Sequence, residues 1–217
     1  MIVYAPPPDT GLSIVFVDDS LVIVDKPAGL LSVPGRGEGM HDCLASRVQA
    51  EFTDALIVHR LDMSTSGLLV LARGSAMQSE LFRLFRERLI NKRYLAVVDG
   101  LLADDSGEVD LPLICDWPNR PRQKVDFEIG KHSLTKFRRL DLDPAKNTTR
   151  IELEPITGRS HQLRVHMAAL GHPILGDELY GGPAEFKAER LLLHAMDLAF
   201  FHPLTAASLS FHSDAPF

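Results

Sequence analysis

Residues 59–72 read HRLDMSTSGLLVLA, a polar run that ends in Gly67 and gives way to five consecutive apolar residues from Leu68 to Ala72. A short apolar run leaving a glycine has the pattern of a buried strand that starts from a tight turn. Ile57 and Val58 lead into the polar run from the other side, so Asp62 lies in a turn between two strands, ringed by His59, Arg60, Ser64, Thr65 and Ser66. A lone Asp is most often an exposed, solvated side chain. Pinned between apolar strands, however, a polar loop can hold an acid at the mouth of a sheet, among hydroxyls and backbone N–H groups.

Towards the N-terminus, SIVFVDDSLVIVDKPAGLL spells two short strands, 13–17 and 21–25, around an Asp-Asp-Ser turn. Lys26-Pro27-Ala28-Gly29 breaks the second strand, Pro34-Gly35-Arg36-Gly37 makes a loop, and 42–52 reads as a short helix. Towards the C-terminus, Ser75 is placed to cap a helix on which Met77, Leu81, Leu84 and Phe85 recur at helical spacing, with Arg83, Arg86 and Glu87 outward. KRYLAVVDG returns to strand periodicity, and Pro- and Arg-rich loops interrupt any pattern over 107–124. Segments 135–142 and 149–156 pair across an Asp-Pro-Ala-Lys-Asn turn. Thr157 is expected to cap a helix through His166 and Met167 that Gly171 ends. Segments 191–201 and 208–211 close the chain as strands. Neighbouring strands with few helices predict an α+β fold around a largely antiparallel sheet, as one domain over 13–217 behind a flexible segment, 1–12.

At 217 residues and 45% hydrophobic, the chain can bury a real core as one domain, bilobed or not. No apolar run approaches the ~20 residues that span a bilayer, and MIVYAPPPDTG lacks the basic start and apolar run of a secretory signal. A cytoplasmic protein, away from the membrane, is the expectation. Cys43 and Cys115 form no CxxC pair, which favours reduced packing residues over a disulfide or a zinc site. The formal charge of −6 argues on its own against nucleic-acid binding. Binding depends on the local field, however, and basic residues cluster at Arg83, Arg86, Arg88, Lys92 and Arg93 and again at Arg120, Arg122 and Lys124. Most such clusters are merely solvated faces, so RNA needs a sharper signal.

A second informative segment is EPITGRSHQLRVHMAALGHPILGD, which sets Arg159, His161, Gln162, Arg164 and His166 at a helix start. His161 and His166 are five apart, off a common helical face and without a ligand carboxylate, so a metal is disfavoured. An Arg-rich helix start with Gly158 beside it suits an anion, or a buried carboxylate partner. Third comes Tyr94, within Asn91-Lys92-Arg93-Tyr94. A strand Tyr is as readily core as functional, but aromatic faces stack on unpaired bases while basic neighbours hold the phosphates.

These segments, in this order, resemble the RluA-type family of RNA pseudouridine synthases. The match runs from DKPAGLLSVPG to LLLHAMDLAFFHP, with HRLDMSTSG and ITGRSHQLRVH its most specific parts. ICDWPNRPRQK and GHPILGD are similar to the short subgroup, without an S4 module, that acts on tRNA and large-subunit rRNA. The resemblance implies a bilobed α+β catalytic domain with a central active-site cleft. It implies that Asp62 is the nucleophile and that Arg60 enters the RNA stack where the target base leaves. It also implies that Tyr94 stacks on the flipped uracil and that Arg164 pairs with the catalytic Asp. His59, Thr65, Arg159, His161 and Gln162 join Arg60 as expected substrate contacts. An RNA partner, a monomeric enzyme and no metal or cofactor complete the expectation.

The chemistry fits those residue types. Uridine must lose its C1′–N1 bond, the uracil must turn, and C1′ must bond C5. A stacked base cannot turn, so it is flipped out at a cost of a few kcal/mol. A carboxylate then attacks C1′ or C6, or removes the 2′ proton to give a glycal. A non-catalytic RNA-binding protein would share the basic clusters but would have no use for Asp62. A glycoside hydrolase or nucleosidase would want two carboxylates on one sugar, and Asp177 and Glu178 lie in a separate loop.

Overall fold

The structure, a computed structural model, describes residues 4–217. In chain order its elements are β1 (Ile14–Val17), β2 (Leu21–Lys26), α1 (Leu44–Glu51), β3 (Ala55–Ile57), β4 (Ser66–Arg73), α2 (Ser75–Arg86), β5 (Asn91–Asp99) and β6 (Ser106–Asp110). They continue as β7 (Leu113–Cys115), β8 (Gln123–Val125), β9 (Leu134–Asp143), β10 (Thr148–Pro155), α3 (Gln162–Ala169), β11 (Leu193–Phe201) and β12 (Ser208–His212). Two compact units divide the chain: residues up to Asn91 with Ala195–Pro216, and Lys92–His194 with Phe217. Each has its own hydrophobic core.

In the first unit β2 pairs antiparallel with β1 and β4, β3 with β4, and β12 with β11. The run after Gly67 is β4, buried on both faces until Arg73. Leu68, Val70 and Ala72, on one face by the period of a strand, share a core with Leu21, Ile23, Met77, Leu81 and Leu84. The last three are the expected apolar stripe of α2. Ser75, expected as its cap, is instead the first helical residue. The cap position is Gly74, at φ 78°, with no side-chain bond. Gly67 (φ 112°) lies so close to the β11 backbone that a Cβ there would meet the Ala195 carbonyl oxygen at 2.4 Å, which reserves the position for glycine. Residues 4–12 form no helix or strand but are tied to their surroundings. The Tyr4 hydroxyl donates to the Asp42 carbonyl (2.8 Å), and Arg47 donates to the Pro7 carbonyl (2.7 Å). Cys43 is buried and caps α1 through reciprocal bonds with Ser46, and Cys115 is half-buried; both are free thiols.

The second unit holds the antiparallel order β5-β10-β9-β6, with β7 and β8 as a separate hairpin. Along β10, Thr149, Ile151, Leu153 and Pro155 are buried in alternation, and Ile151 and Leu153 meet Leu163 and Met167 of α3 in the core. The segment expected to be irregular, 107–124, carries most of β6, all of β7 and part of β8. Two of these are only three residues long and are defined by their partners rather than by periodicity. Thr157 does not cap α3. The helix begins at Gln162 behind a left-handed His161 (φ 54°), and the Thr157 hydroxyl bonds the Gln162 side chain instead. Gly171 (φ 82°) ends α3 as expected. The pairings within both units are antiparallel and the helices few, as the α+β reading requires. No helix among the described residues is long and apolar enough to cross a membrane.

Candidate active site

In the first unit the neighbouring segment 26–32 holds the loop carrying Asp62 on both flanks. The Ser32 hydroxyl donates to the Leu61 carbonyl (2.7 Å) and accepts the Leu61 N–H (3.1 Å), so both backbone groups before Asp62 go to one side chain. On the other flank, Met63 offers its carbonyl to the Gly29 N–H (2.8 Å) and to the Lys26 ammonium (3.1 Å). Lys26 is fully buried and also donates to the Pro27 (2.9 Å) and Leu30 (2.7 Å) carbonyls. An ammonium has three protons, and three carbonyl oxygens surround this one. Within the loop, the Thr65 N–H closes a turn on the Asp62 carbonyl at 3.1 Å. Asp62 is thus half-buried on a backbone fixed on both sides.

Of the expected substrate contacts in this loop, Arg60 is exposed, His59 half-buried and Thr65 buried. His59 accepts the Val70 N–H at Nε2 (3.1 Å), so in its neutral form the ring proton is on Nδ1. Its ring lies 4.6 Å from that of Phe85.

In the second unit Arg164 is buried at 5% side-chain exposure against Asp177 at 0%. The pair is bidentate: Nε donates to Oδ2 (2.8 Å) and Nη2 to Oδ1 (2.7 Å). Oδ1 also accepts the N–H groups of Leu179 (2.9 Å) and Tyr180 (3.1 Å). Burial pushes the Asp177 carboxyl up, but Arg164 and the two N–H groups outweigh it and hold the pKa below the ordinary value. The Tyr180 ring packs 5.2 Å from the Arg164 guanidinium and 5.5 Å from that of Arg122. Its hydroxyl accepts the Gln123 N–H (2.7 Å) and lies 2.7 Å from His161 Nδ1. Tyr180 therefore links the β7–β8 hairpin to His161 and Arg164.

Tyr94 is half-buried on β5 opposite Leu153, at the margin of the core, with Lys92 two positions before it on the same face. Arg159 is exposed. Gln162, expected to touch substrate, is 3% exposed and fully engaged inside the protein. Its Oε1 accepts from the Thr157 hydroxyl (2.7 Å) and the Arg159 N–H (3.1 Å), and its Nε2 donates to the Leu134 carbonyl (2.9 Å) and Thr135 Oγ1 (3.0 Å). No amide capacity is left for RNA; Gln162 is a brace between α3 and β9. The same Thr135 hydroxyl lies 2.9 Å from Nδ1 of the buried His166, whose Nε2 lies 3.1 Å from the Leu111 carbonyl. Burial pushes the His166 pKa down, which favours the neutral imidazole inside this network.

Sequence reasoning missed Asp177, Tyr180, Ser32 and Lys26. The first two sit in GDELY, thirteen or more residues beyond Arg164, and the only local hint is an acid next to a glycine in an apolar stretch. That glycine, Gly176 (φ 71°), lets the backbone come so near the Arg190 carbonyl that a Cβ would clash at 1.9 Å.

Comparison with known proteins agrees with the layout of these segments. Residues 20–169 match the family model described as RNA pseudouridylate synthase. The dual-specificity RNA pseudouridine synthase RluA of Pasteurella multocida is 54% identical over 100% of this chain and 99% of its own. The enzyme of that name from Escherichia coli K12 is 52% identical over 99% and 98%. Among solved structures, human RNA pseudouridylate synthase domain containing 1 covers 98% of this chain and 87% of its own at TM-score 0.80 and 29% identity. Identity at this level, end to end, with the Asp62, Tyr94 and Arg164 segments in place, makes the chain a member of the RluA-type RNA pseudouridine synthases.

Proposed function

We propose that this enzyme isomerises uridine in stem-loops of tRNA and large-subunit rRNA, within a catalytic domain spanning 13–217, in the cytoplasm and as a monomer. Asp62 is the nucleophile in this reading. The observation that carries the assignment is the fixing of its backbone from both flanks, at Leu61 and Met63. A flexible surface carboxylate would need neither restraint, whereas a nucleophile gains rate from being held in attack geometry. The dual specificity named for the relatives supports the choice of both RNA classes.

In the proposed sequence Arg60, exposed beside Asp62, fills the gap left by the flipped base. The carboxylate adds to C1′ or C6, or takes the 2′ proton, the C1′–N1 bond breaks, the uracil turns and C5 bonds C1′, and the carboxylate is then released from C1′ or C6 or returns the 2′ proton. The C5 proton then leaves to restore the aromatic ring while N1 gains one. Tyr94 stacks on the uracil and accepts the C5 proton. Arg164 is the basic residue that serves the catalytic carboxylate in this reading, and His59, Thr65, Arg159 and His161 line the RNA path. The reaction consumes no redox equivalent and no nucleotide, and the proposal includes no cofactor.

The test is tritium release from RNA labelled at C5 of uridine, run on tRNA and rRNA stem-loops together with chromatography for free uracil. Isomerisation releases tritium to water and no uracil. Release of free uracil would identify a hydrolase, and tritium release from one RNA class alone would remove the dual specificity.

A further inference from the structure

We propose that Ser32 is a positioning residue for catalysis, fixing the Asp62 backbone through a single hydroxyl. The inference rests on the assignment of Asp62 as the nucleophile. Ser32 is 3% exposed and both of its hydroxyl bonds go to Leu61, the residue immediately before Asp62. A side chain that accepts the N–H and donates to the C=O of one residue fixes the plane on either side of that residue. The start of the Asp62 main chain, and hence the direction of its Cα–Cβ bond, follows from those two planes.

The hydroxyl can do this because its own backbone is anchored elsewhere. The Ser32 carbonyl accepts the Ala45 N–H (3.2 Å) and the Leu31 carbonyl accepts the Leu44 N–H (2.8 Å), both at the start of α1. The Leu31 N–H donates to the Tyr4 hydroxyl at 3.1 Å. Ser32 thus carries the rigidity of the first helix to the residue before the nucleophile, while Lys26 and Gly29 hold the residue after it. Alanine at 32 leaves Leu61 with an unpaired buried N–H and C=O, and these can be paired again only if the loop moves. Threonine keeps the hydroxyl.

The experiment compares the parent with Ser32→Ala, Ser32→Thr and Asp62→Asn at a temperature where circular dichroism shows each fully folded. Single-turnover rates and RNA dissociation constants are measured separately. Ser32→Ala is expected to slow the single-turnover step tenfold or more, since a displacement of about 1 Å costs on the order of a hundredfold. Its RNA affinity should stay within about twofold of the parent, and Ser32→Thr should recover most of the rate. A purely structural Ser32 would lower the melting temperature and leave the rate of the folded protein unchanged, and that result overturns the proposal. So does loss of rate in Ser32→Ala that Ser32→Thr fails to recover. Activity in Asp62→Asn would instead remove the assignment of the nucleophile, separating the two failures.

Discussion

Asp177→Ala should destabilise the second unit by about 3–5 kcal/mol, the cost of removing one partner from a buried ion pair. The pair is enclosed, with side chains 5% and 0% exposed, and the carboxylate also serves the N–H groups of Leu179 and Tyr180. Against a typical total of about 5–15 kcal/mol, such a loss takes a large share. With a urea slope of about 2 kcal/mol per molar, 3 kcal/mol lowers the midpoint by about 1.5 M. Asp177→Asn should cost less. An amide oxygen can still accept from Nη2 of Arg164 and from both N–H groups, but its NH2 faces the Nε–H of Arg164, donor against donor. Trp117, the sole Trp, lies in the same unit, so its fluorescence follows that unit during urea unfolding. The pH sign is fixed by the depressed pKa. Its contribution is present above the ordinary carboxylate range, near 3.9, and is lost as pH falls through the lower folded value. The parent should therefore lose stability in acid more steeply than Asp177→Asn. A midpoint for Asp177→Ala within about 0.3 M of the parent would refute the reasoning.

Two further outcomes follow from side chains elsewhere. His212 lies between Asp197 (2.6 Å) and Asp214 (3.2 Å), which raise its pKa; its stabilisation is complete below the ordinary value near 6.5 and fades as pH rises through the folded one. NMR titration of the imidazole should show Asp197→Asn lowering that pKa, and an unchanged midpoint would contradict the assignment. RNA affinity should fall steeply with salt despite the charge of −6. Replacing Arg120, Arg122 and Lys124 together should reduce the slope of log affinity against log salt by up to about 2, the reduction being limited by the Lys124–Asp126 pair at 3.2 Å. An unaltered slope would exclude the hairpin from phosphate contact.

What was legible in the sequence follows from how local each cause is. The Asp62 loop and β4 were readable because the polar run, the glycine and the apolar run are contiguous, and the α2 stripe because its period belongs to the helix itself. The two expected caps failed for different reasons: the Thr157 hydroxyl bonds the Gln162 side chain, and the turn into α2 is made by Gly74. Strands β7 and β8 are too short to show a period and exist through their pairing. Lys26 read as a strand breaker beside Pro27, since a charged side chain is rarely placed inside. Its burial makes sense only once the Pro27, Leu30 and Met63 carbonyls converge on it. Asp177 was invisible as the partner of Arg164 because the loop between them closes in three dimensions and leaves no spacing rule behind. The inward direction of the Gln162 amide was not legible, because its neighbours Arg159 and His161 look like a polar ligand set.

The measurement that bears most directly on the account is pseudouridine formation by Asp62→Asn, alongside its melting temperature and RNA affinity. The amide keeps the side-chain shape but loses both nucleophilicity and basicity. The variant should fold and bind RNA as the parent does while forming no pseudouridine. Turnover within a few-fold of the parent would contradict the assignment of Asp62 as the nucleophile.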